Sequence, residues 1–115
     1  MRKVLNPSQL SESAIKGMQS FHPDSVAEVE AAMQSNKIVI VGMKQNPFVK
    51  KARNLLSEAK LDFKYVEYGS YFSKWRERLA IKLWSGWPTF PQVFVDGKLI
   101  GGFKELKTWS EKNKN

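Results

Sequence analysis

The chain has 115 residues, of which 42% are hydrophobic, and its 19 Lys and Arg against 11 Asp and Glu give a net charge of +8. This length and apolar content suit a single folded domain and exclude an intrinsically disordered chain. The sequence contains no cysteine, which excludes disulfides, thiolate metal sites and thiol nucleophiles among its own side chains.

The N-terminal part predicts two helices. The first covers residues 8–18 and is capped by Ser8, and the second covers residues 24–34 and is capped by Asp24. No apolar run approaches the roughly 20 residues that a membrane helix needs, and the basic N-terminus lacks the apolar core of a signal peptide. We therefore expect a cytoplasmic protein without a membrane partner.

The middle of the chain alternates between strand and helix patterns. The β-branched run 38–41 predicts a strand that is buried on both faces, and residues 61–67 predict a second strand. Asn46-Pro47 predicts the start of the helix between them, which ends near residue 59. A further helix is predicted over residues 71–84, with an apolar face that contains Phe72, Trp75, Leu79 and Leu83.

The C-terminal part predicts a hairpin followed by a helix. Residues 92–95 and 98–100 read as strands joined by the two-residue turn Asp96-Gly97. Gly101-Gly102 then leads into a helix over residues 103–112. A strand–helix–strand unit gives parallel strands and a hairpin gives antiparallel ones, so the sequence predicts an α/β fold with a mixed sheet.

Two motifs carry a resemblance to a known family. The segment Trp87-Pro88-Thr89-Phe90-Pro91-Gln92 and the segment that runs from Asp96 to Gly102 resemble those of the glutaredoxin family, and most closely its monothiol members. The resemblance implies a thioredoxin-like fold with a four-stranded mixed sheet flanked by helices. It assigns residues 24–115 to the glutaredoxin-like domain and leaves residues 1–23 as an N-terminal helical extension.

The same resemblance shows that the redox positions are replaced. The family's catalytic cysteine corresponds to Asn46, and the second cysteine of dithiol members corresponds to Val49. An amide forms no thiolate and attacks no disulfide, so no catalytic residue is expected in this chain. From the residues themselves, Asn46 before Pro47 is expected to cap the following helix, and a contact with a ligand is the alternative.

The resemblance also implies a glutathione-binding groove. Lys44 would meet the glycine carboxylate, and Arg78 and Lys82 are weaker candidates for it. Pro91 would be cis, so that the backbone of Phe90 faces the ligand. Lys104 stands where the family usually has an acidic residue for the γ-glutamyl ammonium, and Glu105 is its nearest substitute. The complete set of implied ligand residues is Lys44, Phe48, Arg78, Thr89, Phe90, Pro91, Gly101, Gly102, Phe103 and Lys104.

Three functional hypotheses remain open at this stage. The first is a redox-inactive binding or regulatory protein that keeps a degenerate groove for glutathione or a protein partner. The second is a basic module for nucleic acid or acidic proteins, since residues 37–115 alone carry sixteen basic and seven acidic side chains. The third is a thiol–disulfide oxidoreductase of cell redox homeostasis, if the cysteine at position 46 was replaced by engineering. A single histidine cannot make a metal site, and none is expected.

Overall fold

A mixed four-stranded sheet organises the protein, in a computed structural model that describes residues 2–113. The strands are β1 (Ile38–Gly42), β2 (Lys64–Glu67), β3 (Gln92–Val95) and β4 (Lys98–Gly101). Their spatial order is β2-β1-β3-β4. β1 is parallel to β2 and antiparallel to β3, and β3 is antiparallel to β4. The α/β fold with a mixed sheet is therefore confirmed.

Helices cover both faces of this sheet. They are α1 (Glu12–Ser20), α2 (Pro23–Ser35), α3 (Pro47–Glu58), α4 (Trp75–Ser85) and α5 (Phe103–Lys112). Val39 and Val41 of β1 belong to one apolar cluster, while Ile38 and Ile40 belong to the other. Because successive side chains of a strand point to opposite faces, this division explains why the β-branched run of β1 is buried throughout.

The N-terminal helices begin at other residues than the sequence predicts. Asn6 starts a short 3₁₀ helix over Pro7–Gln9, and Ser11 rather than Ser8 caps α1 through a bond from the Ala14 N–H of 3.1 Å. The N-cap of α2 is His22, in a left-handed conformation at φ 45°, so Asp24 lies in the first turn instead. Pro23 explains this shift, since proline favours the first helical position.

The start of α4 differs most from the prediction. The segment 71–74 is a turn, and the helix begins only at Trp75 and ends at Ser85. Consequently the predicted apolar face is wrong: Phe72 is 91% exposed, Trp75 55% and Leu83 68%. The buried side of α4 instead holds Arg78, Ala80 and Ile81.

Two strand boundaries also differ from the prediction. β2 is shorter than predicted and begins at Lys64, whereas β4 extends one residue further, to Gly101. Across the described part of the chain, none of the helices is both long and apolar enough to cross a bilayer.

Candidate functional site

One groove brings together most of the residues that the sequence singles out. It has a volume of about 570 Å³ and lies between the N-terminus of α3, the segment 87–91 before β3, and the N-terminus of α5. Of the predicted ligand residues, eight line it: Phe48, Arg78, Thr89, Phe90, Pro91, Gly102, Phe103 and Lys104. Lys44 and Gly101 do not. The other lining residues are Met43, Asn46, Tyr71, Lys82, Trp87, Pro88 and Glu105.

Asn46 caps the N-terminus of α3 and lines the groove. Its Oδ1 accepts hydrogen bonds from the Phe48 N–H at 2.9 Å and the Val49 N–H at 3.2 Å. Its Nδ2 donates to the carbonyl oxygen of Phe90 at 3.3 Å. The side chain therefore satisfies two of the N–H groups that a helix start leaves free, and it ties α3 to the segment before β3.

Val49 faces the core rather than the groove. It is 2% exposed, and a Cβ added at Gly42 would approach its Cγ1 to 2.6 Å. The glycine at position 42 thus leaves the room that the branched side chain of Val49 fills. This position contributes packing, and no atom of it lines the groove.

The segment before β3 forms the floor of the groove. The Phe90–Pro91 peptide bond is cis, and Phe90 is 7% exposed with its ring 5.5 Å from the Lys82 ammonium. Gln92 is fully buried, and its Nε2 donates to the carbonyl oxygen of Trp87 at 3.0 Å. Gln92 therefore holds this segment in place through the bond to Trp87. The sequence analysis missed this role, although a polar residue within an apolar strand indicates a buried hydrogen bond.

Glu105 and Lys104 set the charge at the α5 end of the groove. The Glu105 carboxylate accepts a hydrogen bond from the Gly102 N–H at 2.8 Å, which is half of a capping box. The N–H groups of Phe103 and Lys104 remain in the first turn, where a helix has no internal acceptor for them. Gly101, at φ 126°, allows this arrangement because a Cβ there would lie 2.6 Å from the Glu105 Cγ.

Arg78 is held by the protein's own backbone. Its Nη1 donates to the carbonyl oxygens of Tyr68 at 2.8 Å and Ser73 at 2.5 Å. Burial lowers the pKa of the guanidinium, and the neighbouring Glu77 carboxylate opposes that shift. The side chain therefore fixes the turn before α4 while it lines the groove, so its donors are only partly free for a ligand.

Lys44 lies on the other side of α3. It is exposed, and it lines a second cleft of about 450 Å³ together with Lys50 and Arg53. Its backbone N–H donates to the carbonyl oxygen of Gly69 at 2.7 Å, which fixes the loop that carries it. The structure thus places Lys44 in a cleft that adjoins the groove, and not among the residues that line the groove itself.

The fold and the site define a thioredoxin-like protein in which the amide of Asn46 caps the helix that borders the groove. The glutaredoxin family model matches residues 38–100. A glutaredoxin-like protein of Dictyostelium discoideum is 48% identical over 101 residues, which are 88% of this chain and 80% of that protein. The chain therefore belongs to the glutaredoxin family. A Glutaredoxin 3 of Danio rerio is 46% identical over 44 residues, which are 36% of this chain and only 14% of that protein.

Solved structures agree with this fold. Reduced glutaredoxin C1 from Populus tremula x tremuloides superposes with a TM-score of 0.71 at 21% identity, over 84% of this chain and 83% of that one. A buckwheat glutaredoxin–glutathione complex superposes with a TM-score of 0.68 at 17% identity, over 84% and 87%. At these identities the likeness concerns the fold.

Proposed function

We propose that this chain is a glutaredoxin-family protein that binds glutathione, or an extended peptide like it, without catalysing thiol–disulfide exchange. The observation that carries the proposal is Asn46. Its amide stands at the start of α3, lines the groove, and is engaged in capping through Oδ1. The chain offers no cysteine to take over the role of nucleophile.

The chemistry of exchange supports a non-catalytic role. Attack on a disulfide needs a thiolate, which a helix N-terminus favours through its dipole and free N–H groups. In this chain the same N–H groups of Phe48 and Val49 donate to a neutral amide oxygen. A bound glutathione would therefore remain a noncovalent ligand, held by the walls of the groove.

The groove offers partners for the two charged ends of such a ligand. Lys82 is a cation at the floor, beside the ring of Phe90, and suits a carboxylate as a point charge. The first turn of α5 offers the N–H groups of Phe103 and Lys104 to a second carboxylate. The Lys104 ammonium favours that carboxylate and repels the γ-glutamyl ammonium beside it, so we expect millimolar rather than tight binding.

Titration of the ¹⁵N-labelled chain with reduced glutathione tests binding. We expect saturable shifts at Asn46, Phe90 and Gly102 with a dissociation constant on the order of 1 mM. The variant Lys82→Gln should weaken these shifts, while Lys107→Gln on the exposed side of α5 serves as the charge-matched control. Unchanged spectra up to about 10 mM glutathione would refute glutathione binding.

A second experiment tests whether the groove would support thiol–disulfide exchange if a thiol were present. The pure parent chain should show no turnover of a glutathione mixed disulfide, and turnover would overturn the non-catalytic assignment. Asn46→Cys places a thiol at the start of α3, where its pKa is lowered. Activity in that variant alone would support a groove that lacks only its nucleophile.

A further inference from the structure

The Lys and Arg side chains within residues 2–113 lack carboxylate partners in the protein itself. Between described residues, the one ion pair joins His22 Nδ1 and a Glu77 carboxylate oxygen at 3.6 Å. No Lys or Arg within residues 2–113 therefore lies at salt-bridge distance from a carboxylate, although the chain has 19 basic residues. Cations that the fold leaves unpaired remain available to an external anion.

The second cleft holds three of these cations in a shaped surface. Lys44, Lys50 and Arg53 line it, and the Arg53 guanidinium lies 3.9 Å from the centre of the Tyr65 ring. The Tyr65 hydroxyl in turn donates to Glu67 at 3.0 Å. Stacking on an aromatic ring positions a guanidinium without neutralising it, so Arg53 is held in place as a free charge.

The cleft and the groove form one track around the N-terminus of α3. Both are lined by Met43 and Asn46, which lie between them. Among the described residues, two carboxylates line the track, those of Glu67 and Glu105, and each already accepts a hydrogen bond from the protein. The six cations that line it are Arg78, Lys82 and Lys104 in the groove and Lys44, Lys50 and Arg53 in the cleft.

We propose that this track binds an extended acidic segment of a partner protein. The inference rests on the proposed function in that the segment shares the groove with glutathione. Met43, Phe90 and Pro91 give the groove an apolar floor for alternate side chains of an extended peptide, while the acidic ones meet the cations. These concave surfaces favour a peptide over duplex nucleic acid, which is gripped from outside along its phosphates.

Fluorescence anisotropy with a labelled acidic peptide tests the proposal. The peptide has about ten residues, which span roughly 33 Å in extended form. We expect the binding of an alternating glutamate–serine peptide to weaken steeply with salt, and the glutamine–serine analogue to fail to bind. The double variant Lys50→Gln/Arg53→Gln should lower the affinity about tenfold, because it removes two cations of the cleft.

Matched controls decide between this partner and the others. Lys107→Gln/Lys112→Gln removes the same charge from exposed positions of α5 outside the track, and it should change the affinity less than about twofold. Equal losses in both double variants would overturn the proposal, because binding would then follow net charge alone. Tighter binding of a single-stranded RNA of equal charge would overturn it in favour of nucleic acid.

The outcomes also separate this proposal from the proposed function. Glutathione shifts at Phe90 and Gly102 without peptide binding would refute the acidic segment and leave the groove's function intact. If the peptide binds in a manner that depends on Arg53 while glutathione causes no shifts, the result would support the track and refute glutathione as a ligand.

Discussion

Replacing Asn46 by alanine should weaken the whole fold by a predictable amount. The substitution removes the oxygen that accepts the Phe48 and Val49 N–H groups, and loss of such a cap costs about 1 kcal/mol. It also removes the donor to the Phe90 carbonyl, a long bond at 3.3 Å that we value at about 0.5 kcal/mol. The free energy of unfolding should therefore fall by roughly 1.5 kcal/mol.

Urea denaturation followed by circular dichroism measures this loss. We expect the slope of the unfolding free energy against urea concentration to stay unchanged. The corresponding drop in the thermal midpoint is about 6 °C for a domain of this size. Asn46→Ser is the matched control, because its hydroxyl oxygen still caps α3 and only the bond to Phe90 is lost. Our reasoning is refuted if the alanine variant is as stable as the parent, or if serine costs as much as alanine.

Three further changes have defined outcomes. Gly101→Ala should lower the free energy of unfolding, measured in urea, by about 3 kcal/mol, because φ is 126° and the new Cβ would meet Glu105. Gly97→Ala is the control: nothing lies within 4 Å of its added Cβ, so it should cost about 1 kcal/mol. Lys104→Asp should tighten glutathione binding about threefold in the NMR titration, because the repulsion of its ammonium ends; weaker binding would contradict this. Burial, followed by the adjacent carboxylates, raises the pKa of Tyr68 and Tyr65 above the ordinary value of 10.0. The unfolded state then loses these protons first, so stability should hold below about pH 10 and fall as the pH rises above it. The fall should be less steep in Tyr68→Phe, and a urea midpoint that does not change with pH would contradict this prediction.

Strand β1, the hairpin of β3 and β4, and helix α5 were predictable because their signals are local. The β-branched run of β1 needs two covered faces, the Asp96-Gly97 pair forms a tight turn, and the glycine pair opens α5, which begins and ends where predicted. The capping by Asn46 was equally local, since an Asn before a Pro fits a helix start. Each of these features depends on residues that are neighbours in the sequence.

The start of α4 could not be predicted because it depends on hydrogen bonds from a charged side chain and not on apolar spacing. Arg78 reaches the carbonyl oxygens of Tyr68 and Ser73, and these bonds hold the segment before the helix as a turn. The apolar spacing of Phe72 and Trp75 suggested a helix face, whereas both side chains point to solvent. Periodicity reports where apolar residues recur, and it contains no information about a buried guanidinium that organises the backbone.

The position of Lys44 was missed for a related reason. The family resemblance implied that Lys44 belongs to the groove, but the loop between β1 and α3 turns at Gln45, which has a φ of 66°. The side chain therefore joins Lys50 and Arg53 in the second cleft. Proximity in the sequence fails at a left-handed residue, where the direction of the chain changes within one step.

The N-terminus of α3 carries a neutral side chain at the centre of a basic surface. A thiolate at position 46 would give the groove a negative centre stabilised by the helix, but the Asn46 amide satisfies the same N–H groups without any charge. The neutral amide does not repel an anionic ligand, so the attraction between that ligand and the cations of the track is not reduced. Ligand binding by this protein should therefore depend on salt more strongly than binding in a thiolate-bearing glutaredoxin. Asn46→Asp tests this argument. It keeps a capping oxygen, introduces a negative charge and should weaken the binding of acidic peptides, while the fold loses only the bond to the Phe90 carbonyl, about 0.5 kcal/mol. Equal peptide affinity in Asn46→Asp would refute it.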